Sequence, residues 1–388
     1  SRAQVLPFEE ELKKNWFREM IEEYPEDKLD LILMIGHMPV SDFDNHEMTR
    51  LQAHFRKLYP NIIIQFFGGH SHVRDFVLFD EKSSALQSGR FAETLGFLSI
   101  DNVKSESPCF SRRYIDFNRR SFEYHGRGNQ IQSSSASKGE NVSKSIRHLR
   151  EKLQLDNTQG YVPQTYYMSA RPQDSEDNIY HLITSQVLPK LHSHITNKSI
   201  SRYVMINTGA VRYDLHKGPF TTDSEFIVLP FSNEWLYLEL PLKVASNIEQ
   251  YLNKGPAIAS LAPPNTIGLY SSSSSKSCPF VNHPFLTEGY TTRDDCGCKG
   301  DDTKHNSQFD YQIPNVVQSQ ELVSLVENEI VHFVFYSFLQ PHVLDAVNAI
   351  SFEENMPKYS PSDCKPYGGN STKLLLARYI KEISWRET

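Results

Sequence analysis

The stretches Leu29-Asp-Leu-Ile-Leu-Met-Ile-Gly-His37 and Asn61-Ile-Ile-Ile-Gln-Phe-Phe-Gly-Gly-His70 define the architecture of the first third of the chain. Each contains a short apolar run followed by glycine and histidine, which predicts a buried strand and the loop after it. Between them, apolar residues recur every three or four positions from Met48 to Leu58, which predicts an amphipathic helix. A strand, a helix and a second strand in this order form the unit of a parallel or mixed sheet. The sequence therefore predicts a layered α/β core.

Three histidines follow the two predicted strands at the point where each strand ends. His37 comes after the first strand, and His70 and His72 come after the second. The carboxyl ends of neighbouring parallel strands lie at one edge of a sheet, which is where ligands bind in open α/β folds. Neutral imidazole is a common ligand of zinc, manganese, iron and nickel. The positions of the histidines therefore favour a metal site over ordinary packing roles.

The chain is predicted to contain two domains joined by a linker. Residues 126–141 are polar and rich in glycine and serine, which is typical of a structureless interdomain segment. We therefore expect one domain at 1–125, a linker at 126–141 and a second domain at 142–388. An amphipathic helix is expected near the start, over 8–21.

The second domain is predicted to be α+β. Helices are expected at about 142–153, 176–193 and 243–252, and strands at Tyr203–Ile206, Phe226–Leu229 and Trp235–Leu240. The elements do not alternate regularly between strand and helix, so the fold class of this half differs from that of the first.

Composition and charge exclude several classes of protein. The 388 residues include 40 Lys and Arg against 47 Asp and Glu, a net charge of −7, which gives no basic surface for a nucleic acid polymer. The longest nearly apolar run, Val331 to Leu339, is about half the length of a membrane-spanning helix, so no membrane span is expected. The 5 cysteines are too few and too scattered for a disulfide scaffold. The opening Ser-Arg-Ala-Gln does not look like a signal peptide.

Two pairs of motifs resemble those of known enzymes. Met34-Ile-Gly-His-Met-Pro39 with Gly68-Gly-His-Ser-His72 is similar to the last two metal-ligand motifs of the calcineurin-like metallophosphoesterases. Asn207-Thr-Gly-Ala-Val-Arg212 with Pro230-Phe-Ser-Asn233 is similar to the signature of the C-terminal domain of 5′-nucleotidases. The resemblance implies the C-terminal part of a four-layer αββα metallophosphoesterase sandwich, followed by an α+β substrate-recognition domain.

The fungal branch of 5′-nucleotidase-like proteins offers the strongest likeness. It is carried by Phe67-Gly-Gly-His-Ser-His-Val-Arg-Asp75 and by Ser88-Gly-Arg-Phe-Ala-Glu-Thr-Leu-Gly96. By this resemblance two divalent ions, zinc or manganese, are expected, with His37 and His70 on one ion and His72 on the other. The substrate-binding residues that the resemblance implies are Asn207, Gly209, Arg212, Phe231, Asn233, Tyr290, Asp301 and Arg171. Arg212 would hold the phosphate, Phe231 and Tyr290 would stack on the base, and Asp301 would bind the ribose.

The first motifs of the family are absent from this sequence. Asp-x-His, Gly-Asp-x-x-Asp and Gly-Asn-His-Glu would carry the bridging aspartate and the acidic and histidine residues that assist catalysis. Asn45-His46-Glu47 imitates the last of them, but it begins the second predicted helix. We expect these motifs upstream of Ser1, in a separate N-terminal chain or in a longer form of this one. The alternative is a catalytically incomplete protein, and a sheet with open edges is expected here.

The resemblance implies hydrolysis of nucleoside 5′-monophosphates, with AMP-like substrates favoured. Two alternatives stay open. One is a phosphodiester or pyrophosphate hydrolase that acts on cyclic nucleotides, dinucleotides or nucleotide sugars. The other is a nucleotide-binding protein without activity. A location in the secretory route, vacuolar or extracellular, is expected from the family, and the sequons at Asn141, Asn197 and Asn370 are compatible with it.

Overall fold

The computed structural model describes most of the chain, and the described residues form two compact units that divide between residues 125 and 133. The residues described are 7–41, 46–90, 92–118, 121–122, 125, 133–255, 258, 311–323, 326, 328–353 and 357–384. The division falls within the segment 126–141 that the sequence predicts as a linker.

The first unit is built on a four-stranded mixed sheet. Its strands are β1 (Leu31–Ile35), β2 (Ile63–Phe67), β3 (Arg74–Asp80) and β4 (Ser83–Ser88), in the order β1-β2-β4-β3. The strands β1, β2 and β4 are parallel, and β3 runs antiparallel to β4. The helices are α1 (Phe8–Glu11), α2 (Asn15–Glu23) and α3 (Glu47–Leu58), and an antiparallel pair follows, β5 (Thr94–Asp101) and β6 (Cys109–Asp116). The predicted strand–helix–strand unit is therefore present.

The strand β1 forms one edge of this sheet and has one uncovered face. Its side chains alternate between half-buried and exposed, and the outward ones are all apolar, namely Leu31, Leu33 and Ile35. Ile35 is 79% exposed, whereas Ile64 on the neighbouring β2 is fully buried. Strands of parallel sheets are normally buried on both faces. Among the described residues, no strand pairs with the outer side of β1, as the sequence predicts.

The guanidinium of Arg56 ties α3 to the sheet. It binds the Asp80 carboxylate through two nitrogens at 2.9 and 3.1 Å. It also donates to the Ile62 carbonyl at 2.6 Å, so it joins the helix, the loop after it and the end of β3. Burial raises the pKa of the Asp80 carboxyl, but hydrogen bonds from Arg56 and Ser83 outweigh it and hold the pKa below its ordinary value.

Replacing Arg56 by alanine is expected to lower the free energy of unfolding by about 2–3 kcal/mol, because a bidentate charged hydrogen bond and a carbonyl partner are lost. The pKa of Asp80 is lower in the folded protein than in the unfolded chain, where it is about 3.9. Ionised Asp80 therefore stabilises the fold above about pH 3.9, and this stabilisation is lost as the pH falls through the folded pKa. Urea unfolding should give a lower free energy of unfolding for R56A than for the wild type at pH 7, and this difference should become smaller below about pH 4. K57A, at the exposed neighbouring position, is the control. A difference of equal size at both pH values would contradict this role.

The second unit is built on a five-stranded sheet. These strands are β8 (Arg202–Asn207), β10 (Trp235–Pro241), β11 (Val316–Glu321), β12 (Ile330–Tyr336) and β13 (Lys365–Pro366), in the order β11-β8-β12-β10-β13, and β7 (Thr158–Val162) with β9 (Gly218–Thr221) form a separate pair. The helices are α4 (Ser133–Lys152), α5 (Ile179–Leu182), α6 (Thr222–Val228), α7 (Leu242–Lys254), α8 (Gln340–Glu353) and α9 (Thr372–Ser384). The strands β8 and β12 are parallel and almost wholly buried, so the core of the unit lies around them.

Four predicted elements differ from the structure. The helix expected at about 176–193 is α-helical only over Ile179–Leu182, and it continues as a π-helical stretch at Ile183–Val187 and a 3₁₀ turn at Leu188–Lys190. The helix expected over 8–21 is two helices, with Leu12–Lys14 in a turn whose amides bond three residues back at 13 and 14. This break changes the helical phase, so Phe17 is buried instead of Trp16. The helix predicted from 142 begins at Ser133, so 133–141 is not structureless. The serine-rich start of this helix has no apolar periodicity, so the sequence pattern did not indicate a helix there.

The segment predicted as a strand at Phe226–Leu229 is the end of helix α6. A capping box starts this helix: the Thr221 hydroxyl accepts from the Ser224 amide, and the Ser224 hydroxyl accepts from the Thr221 amide. The apolar run at the end of the helix resembles a strand, because short apolar runs do not distinguish the two structures. None of the helices among the described residues is long and apolar enough to cross a membrane.

Candidate functional site

The first unit brings His37 and His70 into contact. The ends of β1 and β2 are in register at Ile35 and Phe67, so the loops after them leave the sheet side by side. The Gly69 amide donates to the Met38 carbonyl at 2.9 Å, which joins the two loops. The His37 Nε2 and His70 Nδ1 atoms lie 3.2 Å apart.

This spacing fits two ligands of one metal ion. Nitrogen ligands lie about 2.0–2.1 Å from zinc, so two of them at tetrahedral or octahedral angles are about 2.9–3.4 Å apart. The distance between the His37 and His70 ring nitrogens falls in this range. Imidazole is also a ligand that both zinc and manganese accept. The donor set therefore fits a metal, and these two side chains would share it.

His72 lies on the same loop as His70, two residues further along the chain. Its backbone is left-handed, with φ of 59°, as is that of His70, with φ of 72°. Within the described ranges no group of three or more histidine, cysteine or acidic side chains has the geometry to hold an ion. The structure thus brings two of the three predicted metal ligands together, and the role of His72 stays a prediction.

The second unit brings Arg212 beside Phe231. The strand β8 ends at Asn207, and a short 3₁₀ turn over Thr208–Ala210 carries the chain to Arg212. The Arg212 amide donates to the Val228 carbonyl at 2.9 Å, which fixes this turn to the end of α6. The guanidinium carbon of Arg212 lies 5.7 Å from the centroid of the Phe231 ring, which is 44% exposed. A cation and an open aromatic face are therefore neighbours.

The surroundings of Arg212 keep it available as a donor. Its Nη1 donates to the Gly209 carbonyl at 3.4 Å, which leaves most of the guanidinium fork unused by that bond. Burial lowers the pKa of Arg212, and the nearby Tyr180 hydroxyl partly offsets the effect. An arginine so placed is still charged at neutral pH. Tyr180 did not stand out in the sequence, since an aromatic residue in an apolar segment usually belongs to the core.

Asn233 is anchored inward. Its side chain bonds the Tyr336 hydroxyl, which in turn donates to the Thr372 hydroxyl. Burial raises the pKa of Tyr336 to about 12, so this hydroxyl stays protonated. The contact joins the loop after Phe231 to the core of the unit, and the predicted role of Asn233 at a base edge stays a prediction.

Arg171 is engaged elsewhere. Its Nε binds the Asp177 carboxylate at 3.0 Å, its guanidinium lies 4.9 Å from the centre of the Tyr167 ring, and its Nη1 donates to the Ala170 carbonyl. These contacts place it in the segment 167–178 and do not join it to Arg212. Tyr290 and Asp301, the remaining predicted substrate residues, lie outside the described residues.

One family model matches within the second unit, and two solved structures match along nearly the whole chain. Residues 165–344 match the family model described as the C-terminal domain of NAD nucleotidase. A crystal structure of a 5′-nucleotidase from Candida albicans is 37% identical, with a TM-score of 0.81 over 97% of this chain and 67% of that one. A 5′-nucleotidase precursor from Thermus thermophilus, at 14% identity and a TM-score of 0.51, over 98% of this chain and 65% of that one, shares the fold.

Fungal proteins are similar along nearly the whole chain. An uncharacterized protein of Saccharomyces cerevisiae is 50% identical over 406 residues, 99% of this chain and 66% of its own length. A protein of Arthroderma benhamiae named as a secreted protein is 30% identical over 452 residues, with the same shares. The chain thus spans about two thirds of the length of the curated relatives it matches. Nothing in these matches supports the separate N-terminal chain expected from the missing motifs.

The chain belongs to the 5′-nucleotidase family, a family of hydrolases whose members combine a metallophosphoesterase domain with a C-terminal domain. The fold class and the family predicted from the sequence motifs are confirmed.

Proposed function

We propose that this protein acts in the metal-dependent hydrolysis of nucleoside 5′-monophosphates, AMP-like ones above all, to nucleoside and phosphate. The observation that carries the proposal is the contact between Arg212 and Phe231. Arginine presents a planar fork of donors that suits phosphate oxygens, and an open aromatic ring accepts any nucleobase by stacking. A charged fork beside such a ring suits a molecule that carries both an anion and a flat base.

His37 and His70 would hold one divalent ion, and His72 would hold a second. When bound, such ions polarise the phosphoryl group and lower the pKa of a bound water. Zinc and manganese are the candidates, since both accept imidazole. The residues of the chain serve to bind and orient: the histidines fix the ions, and Arg212 takes up phosphate oxygens through charged hydrogen bonds.

The remaining substrate residues complete the proposed recognition of the nucleotide. Phe231 forms one wall for the base and Tyr290 the other, and Asn233 bonds the base edge. Asn207 and Gly209 shape the turn that presents Arg212, Asp301 binds the ribose hydroxyls, and Arg171 is a second phosphate arginine. For Arg171 the ion pair with Asp177 must open, because its Nε is already engaged there.

A panel of substrates tests the proposed reaction. Release of inorganic phosphate from AMP, and not from cyclic AMP, NAD or UDP-glucose, is the expected result with zinc or manganese present. The full-length protein is the sample, since the chain covers about two thirds of its relatives.

The match to the NAD nucleotidase C-terminal domain favours one alternative, hydrolysis of a dinucleotide pyrophosphate. Cleavage of NAD without release of phosphate from AMP would support that reaction. Binding of AMP without turnover of any substrate would instead support a nucleotide-binding protein without activity.

Replacing Phe231 by alanine is expected to raise the KM for AMP about 5- to 150-fold, since stacking on one base contributes about 1–3 kcal/mol. The KM for p-nitrophenyl phosphate should change less than about twofold, because that substrate has no nucleobase. Steady-state kinetics with both substrates give the comparison. An equal rise for both would contradict the stacking role and point to a general effect on the unit.

We further propose a location in the secretory route, vacuolar or extracellular. The relative named as a secreted protein supports this location. The three sequons, at Asn141, Asn197 and Asn370, all carry exposed asparagines, as glycosylation requires.

A further inference from the structure

Gln87 is a buried amide at the carboxyl end of β4, beside the loop that carries His70 and His72. It is 1% exposed. Its neighbour Leu86 pairs with Phe67 at the end of β2, and the Leu86 carbonyl accepts from the Gly68 amide at 3.0 Å. The loop from Gly68 therefore starts directly against the end of β4.

The amide nitrogen of Gln87 makes two hydrogen bonds to this loop, one on each side of His72. It donates to the Ser71 hydroxyl at 2.5 Å and to the Val73 carbonyl. Both partners are buried, so neither bond is replaced by water at no cost. A single side chain of the sheet thus holds the residues before and after His72.

The backbone of this loop needs such support. His70 and His72 both have positive φ, at 72° and 59°. Residues with a Cβ disfavour this left-handed conformation, and two of them within three positions persist only when surrounding contacts hold them. Within the loop, the Ser71 amide donates to the Gly69 carbonyl at 2.8 Å, and this hydrogen bond holds the residues before His72. The hydrogen bond from Gln87 to the Val73 carbonyl holds the residue after His72.

We propose that Gln87 is a positioning residue for the histidines of the metal site: it fixes the 68–73 loop in the conformation that presents His70 and His72. The proposal rests on the proposed function for the role of these histidines as metal ligands. Groups that orient metal ligands without touching the ion commonly change metal affinity about 10- to 100-fold when they are removed. Nothing in the sequence marked Gln87, because its role depends on the strand and the loop contacts that the structure shows.

The same sheet offers a matched control, Gln65 on β2. It is 2% exposed, its amide nitrogen donates to the Phe66 carbonyl at 2.8 Å, and its oxygen accepts from the Ser84 hydroxyl. These bonds stay within β2 and β4 and do not touch the 68–73 loop. Methionine has nearly the shape of glutamine and no hydrogen-bonding amide. Q87M and Q65M therefore remove the same kind of buried group from the same sheet.

Calorimetric titration with Zn²⁺ and with Mn²⁺ tests the proposal on the full-length protein. We expect Q87M to weaken metal binding about 10- to 100-fold and Q65M to change it less than about twofold. Both variants should lose thermal stability to a similar extent. An equal change in metal affinity for the two variants would overturn the proposal. S71A removes one hydrogen-bond partner of Gln87 and leaves the amide in place. If Q87M does not fold, a smaller loss of metal affinity in S71A supports the proposal, and an unchanged affinity overturns it.

Amide hydrogen exchange of metal-free protein separates this inference from the proposed function. Faster exchange at Ser71–Val73 in Q87M than in Q65M supports the positioning role, and equal rates in the two variants overturn it. A wild-type protein that binds neither ion would refute the metal site of the proposed function. The exchange rates would still decide whether Gln87 holds the loop.

Discussion

Replacing His70 by alanine is expected to lower kcat/KM for AMP by at least about 10³-fold in the full-length protein. A bound ion contributes several kcal/mol of stabilisation to the charge of a phosphoryl transition state, and each 1.36 kcal/mol is a factor of ten. The His37 and His70 ring nitrogens lie 3.2 Å apart, so both rings would bind the same ion. The loss of one ring therefore releases the ion, and the variant should be nearly inactive although folded.

The shared ion makes a second result specific. H37A should be as inactive as H70A, and the double variant should be little worse than either, because residues that act as a unit have strongly non-additive effects. H148A, which removes an exposed histidine of α4, is the matched control and should keep full activity. Additive losses from H37A and H70A, or retained turnover in H70A, would contradict the metal assignment.

Replacing Arg212 by alanine is expected to lower kcat/KM about 100-fold, for AMP and for p-nitrophenyl phosphate alike. The guanidinium would bind the phosphoryl oxygens, which both substrates share, and a lost charged hydrogen bond to a transition state costs about 3 kcal/mol. Within the described part of the chain, the Arg212 side chain makes one long hydrogen bond, at 3.4 Å, so its removal leaves the turn largely intact.

Two comparisons sharpen this result. R212K should recover part of the activity, because lysine keeps the charge but not the planar fork. Circular dichroism and the melting temperature should stay close to the wild type in both variants. A loss for AMP alone, with normal hydrolysis of p-nitrophenyl phosphate, would assign Arg212 to the nucleoside instead of the phosphate.

The strand–helix–strand part of the first unit could be predicted because its short apolar runs are bounded by clear turn residues. The strands at Leu31–Ile35 and Ile63–Phe67 and the helix between them lie where the hydrophobic pattern predicts them. The end of α6 was assigned to the wrong type, because its apolar residues are too few to show a helical period. Its start is set by the Thr221 capping box, and such hydroxyl contacts carry little sequence signal.

The candidate site could be predicted as residue types but not as geometry. The motifs named His37, His70 and His72 together, and only the structure shows that the ring nitrogens of His37 and His70 meet, at 3.2 Å. The contact of Arg212 with Phe231 depends on the Val228 carbonyl, which any residue would supply. Backbone partners of this kind leave no mark in the residue types.

The hydrogen bond from the Arg212 amide to the Val228 carbonyl has a consequence for how recognition in this unit can be altered. Phe231 follows Val228 by three residues, so one short segment sets the height of the aromatic ring and the position of the arginine. A shift at the end of α6 therefore moves the Phe231 ring and Arg212 together. Insertions between 228 and 231 should change the distance between anion and base that the unit accepts. Substitutions of the Phe231 ring should change only the strength of its hold on the base.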